Sequence, residues 1–349
     1  MPTASENSSK PAATKKRKKA AKKKTGKAAA KKHNVLITGA TSTLGRQLCE
    51  RLLYDKSIGQ IWALSRREVP YYFRDFDPKR FVFRTCAPTN DRKLLELCKS
   101  EEFLQAKIDT IVHLAFQVGR SDAHSGARDY NIRGTQNLLE IARETPSVKK
   151  FVFLSSAKVY RLPRGHVEVI HEDSPLNYNP DAEPFVRDLV DADLLCQEEM
   201  ARGSKLQVIV LRPTYMIGRN VHSFFAYYLD SPVCPYISGT DPLINLIHST
   251  DVVRALQRSI RQPVAGVFNI AGRDTKTIGE FVELAGHPRV PVPEFAIETA
   301  WEAVRRVRWN KHRFPLSAAP LRYNCVLSGE RAKHELDFEP ERHVKFSEV

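Results

Sequence analysis

Gly39 and Gly45 punctuate the run VLITGATSTLGR, where a short apolar stretch gives way to the amphipathic TLGRQLCERLLY. A strand that ends in glycine and opens a helix is suited to hold the pyrophosphate of a dinucleotide. The first glycine permits a tight turn and the later one lets the helix pack closely on the strand. The N–H groups at the helix N-terminus then face the phosphates. Ser42 stands where a middle glycine is usual. Its Cβ narrows the approach of phosphate to the backbone, while its hydroxyl can donate to one. A plain strand–helix turn is the alternative for this motif taken alone. One strand further on, IWALSRRE places Ser65 where a carboxylate would bind a ribose 2′-hydroxyl, with Arg66 and Arg67 following. A missing acid and two guanidinium groups favour a 2′-phosphate, hence NADP over NAD. The alternative is that both arginines are ordinary surface residues.

Such a turn works at the carboxyl edge of a parallel sheet, and the pattern of the chain supplies one. QIWALS, FVFRTC, DTIVHLA, KKFVFLSS and LQVIVLRP read as strands rich in Val, Ile, Leu and Phe. Between them lie helical spacings: TLGRQLCERLLY, a single helix over DRKLLELCKSEEFL, YNIRGTQNLLEIARE, and a helix that begins at Pro184. Strands alternating with helices predict βαβ units and an α/β fold, a Rossmann-type doubly wound parallel sheet covered on both faces. The C-terminal third reads as looser. It contains SFFAYYLDSPVCPYISG and AWEAVRRVRWNKHRF, whose aromatic and basic content suits a phosphorylated or apolar ligand, subunit packing or a docking surface.

Six blocks occur in order: DTIVHLAF, NIRGTQNLLE, FVFLSSAKVY, LRPTYMIG, IHSTDVVRAL and GVFNIAG, with SGERAKHELDFEP near the end. Together they resemble the extended (atypical) short-chain dehydrogenase/reductase family, the NAD-dependent epimerase/dehydratase group, over residues 33–342. The resemblance implies that Gly39, Ser42, Thr43, Leu44 and Gly45 wrap the pyrophosphate. His113, Leu114 and Ala115 would line the adenosine and ribose side, although His113 between Val112 and Leu114 equally suits a buried, satisfied histidine. Asn131 would buttress the site, Ser156 would hold a substrate oxygen, and Arg212 and Pro213 would lie beside the nicotinamide. His248 and Asp251 would belong to the region closing the substrate site. The implied plan is a Lys-rich tail (1–32), a mainly NAD(P)-binding Rossmann domain (33–215) and a smaller, mainly substrate-binding region (216–342). Residues 247–272 would return to the Rossmann core, and 343–349 form the C-terminal end. Helices near 131–143 and 185–202 would carry a homodimer contact.

Enzymes of this family transfer protons through a tyrosine and a lysine four residues later, on one helix face. The lysine holds the nicotinamide ribose and lowers the phenol's pKa. In PFVRDLVDADLL, Phe185 and Leu189 occupy those two positions. None of the eleven tyrosines has a lysine four residues on. Phenylalanine exchanges no proton, and loss of a general acid/base costs roughly 10²–10⁴ in rate. Ser156 remains as the catalytic candidate, with Lys158, Tyr160, Asp188 and Asp191 as nearby polar groups. Asp188 and Asp191, three apart on the helix, read as a solvated acidic face. Two functions stay open: an oxidoreductase or epimerase with a non-standard acid/base, and a non-catalytic dinucleotide-binding sensor or scaffold. A third is that the chain binds neither cofactor.

Charge narrows the partners. The chain of 349 residues carries a net charge of +15, and residues 1–32 hold twelve Lys or Arg against one acid, Glu6. The rest is nearly balanced, so the basic character belongs to the tail and not to a nucleic-acid-binding fold. SSKPAATKKRKKAAKKKTGKAAAKK has no aromatic or large aliphatic residue and is expected to be disordered in isolation. Residues 10–32 would contact nucleic acid or another polyanion without sequence readout. They also resemble a nuclear-import signal and the tails of nucleoid proteins, and a merely solvated tail is the remaining alternative. Neither a membrane span nor a secretory signal is recognisable. Six scattered cysteines without metal spacing suit free thiols in the cytoplasm, and no metal is expected.

Overall fold

The computed structural model describes residues 32–117, 124–309 and 317–344. The Lys-rich tail, except for Lys32, lies outside the described residues. The strands are β1 (His33–Thr38), β2 (Ile58–Ser65), β3 (Phe81–Thr85), β4 (Thr110–His113), β5 (Lys150–Leu154), β6 (Val169–Ile170), β7 (Gln207–Pro213), β8 (Tyr215–Ile217), β9 (Cys234–Ile237), β10 (Leu243–His248), β11 (Gly266–Ile270), β12 (Asp274–Thr277), β13 (Arg289–Val292) and β14 (Val326–Leu327). The helices are α1 (Thr43–Leu53), α2 (Asp91–Lys99), α3 (Glu101–Ala106), α4 (His124–Glu144), α5 (Pro184–Ala201), α6 (Phe224–Leu229), α7 (Ser249–Arg261), α8 (Ile278–Leu284), α9 (Ile297–Trp309) and α10 (Glu330–Leu336).

Seven strands form one sheet in the order β11-β7-β5-β4-β1-β2-β3, and every neighbouring pair is parallel. From β1 the chain winds outward through β2 and β3, then returns to β4 and winds the other way. The switch point therefore falls between β1 and β4, where open α/β sheets bind ligands beyond the carboxyl ends of their strands. Side-chain alternation sends Leu36, Ile111, Phe151 and Val208 into one apolar layer. Val35, Ile37, Val112, Val152 and Ile209 enter the other. Burial on both faces explains why these strands read as continuous apolar runs.

The expected single helix over DRKLLELCKSEEFL is two. Ser100 is extended (φ −64°, ψ 144°), and its hydroxyl accepts from Phe103 N at 3.3 Å, capping α3. It also donates to Leu97 O at 2.7 Å. A serine that satisfies both ends stops one helix and starts the next.

The C-terminal third is also more regular than expected. β8, β10 and β12 form a small sheet, and β9 pairs with β13. Phe224, Phe225, Tyr228 and Trp301 are buried together, with Phe224 and Trp301 ring centroids 5.3 Å apart. SFFAYYL and the start of AWEAVRR thus build a core, while 310–316 lie outside the described residues. Asp251, fully buried, accepts from Arg254 Nη1 (2.7 Å) and from the amides of Glu341 and Arg342 (3.2 and 2.9 Å), tying down the C-terminal segment. Among the described residues no helix is long and apolar enough to cross a membrane.

Candidate dinucleotide site

The glycine turn has the shape its sequence requires. Gly39 adopts φ +70°, and a Cβ there would lie 2.8 Å from the Leu114 carbonyl and Ala115 N. A Cβ on Gly45 would lie 2.2 Å from Gly39 O. Both positions exclude a side chain, so the turn, α1 and the exit of β4 lie in direct contact. Ser42 caps α1, accepting from Gly45 N at 3.1 Å. Its oxygen thus serves the helix, leaving the hydroxyl hydrogen for a ligand. Thr43 and Leu44 open the helix, where N–H groups have no intrahelical carbonyl to bond. No acid lies in that first turn. These donors and the two closed glycine positions fit a pyrophosphate. Thr43 Oγ1 donates to Asn220 O at 2.8 Å, tying the turn to the loop after β8.

Ser65 ends β2 beside this turn. It is buried, its Oγ lies 2.9 Å from Thr41 Oγ1, and it accepts from Arg67 N at 3.1 Å. Arg66 and Arg67 are exposed, and the Arg66 guanidinium sits 5.6 Å from the Tyr130 ring centroid. A third guanidinium, overlooked in the sequence, is Arg46 in the first turn of α1. It lies 4.2 Å over the Tyr72 ring and pairs with Glu50 at 2.7 Å. Its signal was its place directly after Gly45.

His113 is a buried, satisfied histidine, 1% exposed. Thr135 Oγ1 donates to Asn131 O (2.6 Å), so it accepts from His113 Nε2 (3.1 Å). Nδ1 then accepts from Thr38 Oγ1 (2.8 Å), and the ring is the neutral Nε2–H tautomer. Burial pushes its pKa down to about 3. It pins β1, β4 and α4 together beneath the site. Asn131 clamps the exit of β4, accepting from Gln117 N (2.7 Å) and donating to Gln117 O (2.9 Å). The same amide donates to Asp188 at 3.1 Å.

Asp188 is therefore not on a solvated face. It is fully buried and accepts from Arg128 Nη1 at 2.9 Å, while Arg128 Nη2 reaches Asp191 at 2.7 Å. Arg128 lies on α4, sixty residues away, which is why the local pattern misled.

α5 begins at Pro184, where the sequence placed the start of a helix. Phe185 is partly buried, its ring edge-on to Phe116 at 5.7 Å between centroids. Leu189 is 2% exposed within the core. Ser156 follows β5, partly buried, and accepts from Lys158 N at 3.3 Å. The Lys158 ammonium lies 5.8 Å from the Phe185 centroid.

Tyr160 and Arg212 face inward instead. Arg212, 1% exposed, is held bidentately by Asp193 (Nε–Oδ2 2.9 Å, Nη2–Oδ1 2.6 Å). It also donates to Tyr160 OH (2.9 Å) and Glu172 O (3.1 Å). Ser155 donates to Asp193 (2.6 Å), and Tyr160 donates to Asn269 (2.6 Å). Burial pushes the Tyr160 phenol up to about 12, against the opposing pull of Arg212. Arg212 thus commits its side chain to the interior and leaves Pro213 and the backbone at the strand end. A cleft of about 740 Å³ lies elsewhere, between α1 and α7, lined by residues such as Tyr54 and Gln257. The site is defined by strand ends and the glycine turn, not by that cleft.

A glycine turn at the switch point of a parallel sheet defines a Rossmann-type protein with a dinucleotide-shaped cradle. The family model for NAD-dependent epimerases/dehydratases matches residues 35–271, and the chain belongs to that family. It is 27% identical over 326 residues to an uncharacterized protein of Mycobacterium tuberculosis, covering 88% of this chain and 80% of the relative. Among solved structures it is similar to dTDP-glucose 4,6-dehydratase from Bacillus anthracis, in complex with NAD (TM-score 0.66, 20% identity, 89% and 92% of the chains). UDP-glucose 4-epimerase from Thermotoga maritima, with UDP-glucose, gives 0.66, 17%, 89% and 94%. The likeness to these structures is one of fold.

Proposed function

We propose that the protein binds a nicotinamide dinucleotide across the β1/β4 switch point and lacks tyrosine-dependent proton transfer. The observation that carries this is the contrast within one site. The turn keeps the two positions that only glycine fits, while the proton-transfer positions hold Phe185, packed on Phe116, and Leu189, in the core. When bound, such a cofactor supplies or accepts a hydride at its nicotinamide C4. Thr43 and Leu44 would donate backbone N–H groups to the pyrophosphate, and Ser65 would meet the adenosine ribose. Arg66, Arg67 and Arg46 favour NADP, because no carboxylate at the end of β2 repels a 2′-phosphate. NAD is the alternative. Calorimetry and thermal shift with each cofactor test this. A site at one hundred times its Kd gains about 2.7 kcal/mol of stability, and no stabilisation by either cofactor at millimolar concentration sinks the proposal.

A second reading, an oxidoreductase or epimerase with a different acid/base, is favoured by Ser156 together with Lys158, whose ammonium approaches the Phe185 ring. It requires turnover of carbonyl or nucleotide-sugar substrates that Ser156→Ala lowers. The sensor reading gains a partner from the tail, whose lysines would bring the folded body to a polyanion.

A further inference from the structure

Lys158 stands just beyond the carboxyl end of β5, on a 3-10 turn that Ser156 caps. It is partly buried. Its ammonium lies 5.8 Å from the centroid of the Phe185 ring. Among the described residues no carboxylate pairs with it and no acceptor takes its Nζ. Of the acids on the neighbouring elements, Asp188, Asp191, Asp193 and Glu172 are engaged elsewhere, Asp191 by Arg128, while Glu183 precedes α5 with no recorded contact to Lys158. Asp188 is held by Arg128 and Asn131, Asp193 by Arg212 and Ser155, and Glu172 by the amide of Asn269. The recorded neighbour of its ammonium is a ring, Phe185, with Phe116 packed against that ring. A ring face attracts a cation without neutralising it.

Topology says which part of a dinucleotide this charge meets. The β2 end, with Ser65, lies on one side of the switch point and takes the adenosine ribose. β4, β5 and β7 lie on the other side, so the nicotinamide half would fall over their ends, where Ser156 and Lys158 follow β5 and Lys158 meets Phe185. The two redox forms of that half differ in charge. The oxidised pyridinium carries one positive charge, and the reduced dihydropyridine ring carries none.

We propose that Lys158 makes this site select the reduced cofactor over the oxidised one, so that occupancy reports the redox state of the nicotinamide pool. The inference rests on the dinucleotide reading above and adds a specificity that the fold alone does not supply. Repulsion between two like charges in a partly desolvated site, discounted for an ammonium still open to solvent, corresponds to about tenfold in affinity. With Phe185 in place of a proton donor, bound reduced cofactor has no phenol to complete carbonyl reduction.

The test is binding by the full-length chain, with NADPH, NADP⁺, NADH and NAD⁺ as probes. Calorimetry gives each Kd for the native protein, Lys158→Met and Lys158→Arg. The native protein should hold each reduced form about tenfold more tightly than its oxidised partner. Lys158→Met should bring the pair to within about twofold, chiefly by tightening the oxidised form, and Lys158→Arg should restore the preference. Equal native affinities for the two forms, or a preference that Lys158→Met leaves untouched, overturn the inference while leaving dinucleotide binding intact. No binding of any of the four overturns the dinucleotide reading and this inference with it.

Discussion

Replacing Asp193 by asparagine removes one charge from a pair sealed inside the fold. Asp193 and Arg212 are 0% and 1% exposed, joined at 2.9 and 2.6 Å, with Ser155 donating to the same carboxylate. Asparagine keeps the volume but turns an amide N–H₂ toward the guanidinium or toward Ser155. Arg212 keeps Tyr160 and the Glu172 carbonyl and loses its counter-charge. Breaking one side of a buried pair costs about 3–5 kcal/mol, a large share of the ~5–15 kcal/mol that holds most domains folded. At about 2.1 cal/mol/K of unfolding entropy per residue over roughly 300 residues, that lowers Tm by about 5–8 °C. Arg212→Met should cost a similar amount, because it strands the carboxylate. The double variant carries no unpaired charge and should cost at least ~2 kcal/mol less than the two single losses combined. Urea and thermal denaturation of the four proteins complete the cycle. Single losses below ~1 kcal/mol, or strictly additive ones, would refute the account of Arg212 as an internal brace.

Ser65→Asp should move the cofactor preference toward NAD by about tenfold or more in the ratio of Kd values, since a carboxylate at the end of β2 repels a 2′-phosphate and accepts from a 2′-hydroxyl; an unmoved ratio places the 2′-group elsewhere. His113 has a folded pKa of about 3, lowered from 6.5 by burial. Between those values the unfolded chain binds the proton and the folded one refuses it, so stability falls as pH drops through 6.5 toward 3. The loss reaches about 2 kcal/mol at pH 5, and a denaturation series in which His113→Gln does not flatten this limb contradicts the assignment. Deleting residues 1–32 should abolish salt-sensitive retention on DNA-cellulose; retention that survives the deletion would end the polyanion reading.

The parts of the fold legible in the sequence are those set by neighbours in the chain. VLITGATSTLGR declared its turn because the strand, the two glycines and the helix lie within a few residues. PFVRDLVDADLL declared its helix through Pro184 and its apolar spacing. His113 was legible as buried from Val112 and Leu114. What stayed hidden depends on partners brought close by folding. Asp188 looked solvated because Arg128 and Asn131 reach it from α4. That the Arg212 side chain is claimed by Asp193 was hidden because the carboxylate lies on a different element. Lys158 gained its meaning only when β5 and α5 packed together and set it over Phe185. The small C-terminal sheets escaped because, apart from the six-residue β10, their strands run two to four residues and leave almost no alternation to read.

Leu189 ties the proposed site to the stability of the fold. At 2% exposure and packed among core residues, it now contributes to holding the body together. Burying a leucine side chain is worth about 1.5–3 kcal/mol, and a lysine in its place would forfeit that packing and set an ammonium into the core. Phe185→Tyr alone restores a phenol without the charge that tunes it, and Leu189→Lys alone destabilises the fold with nothing gained. Both changes, with repacking, would have to be made together before either had an effect on proton transfer. On the proposed reading, tyrosine-dependent proton transfer is therefore hard to install here one substitution at a time.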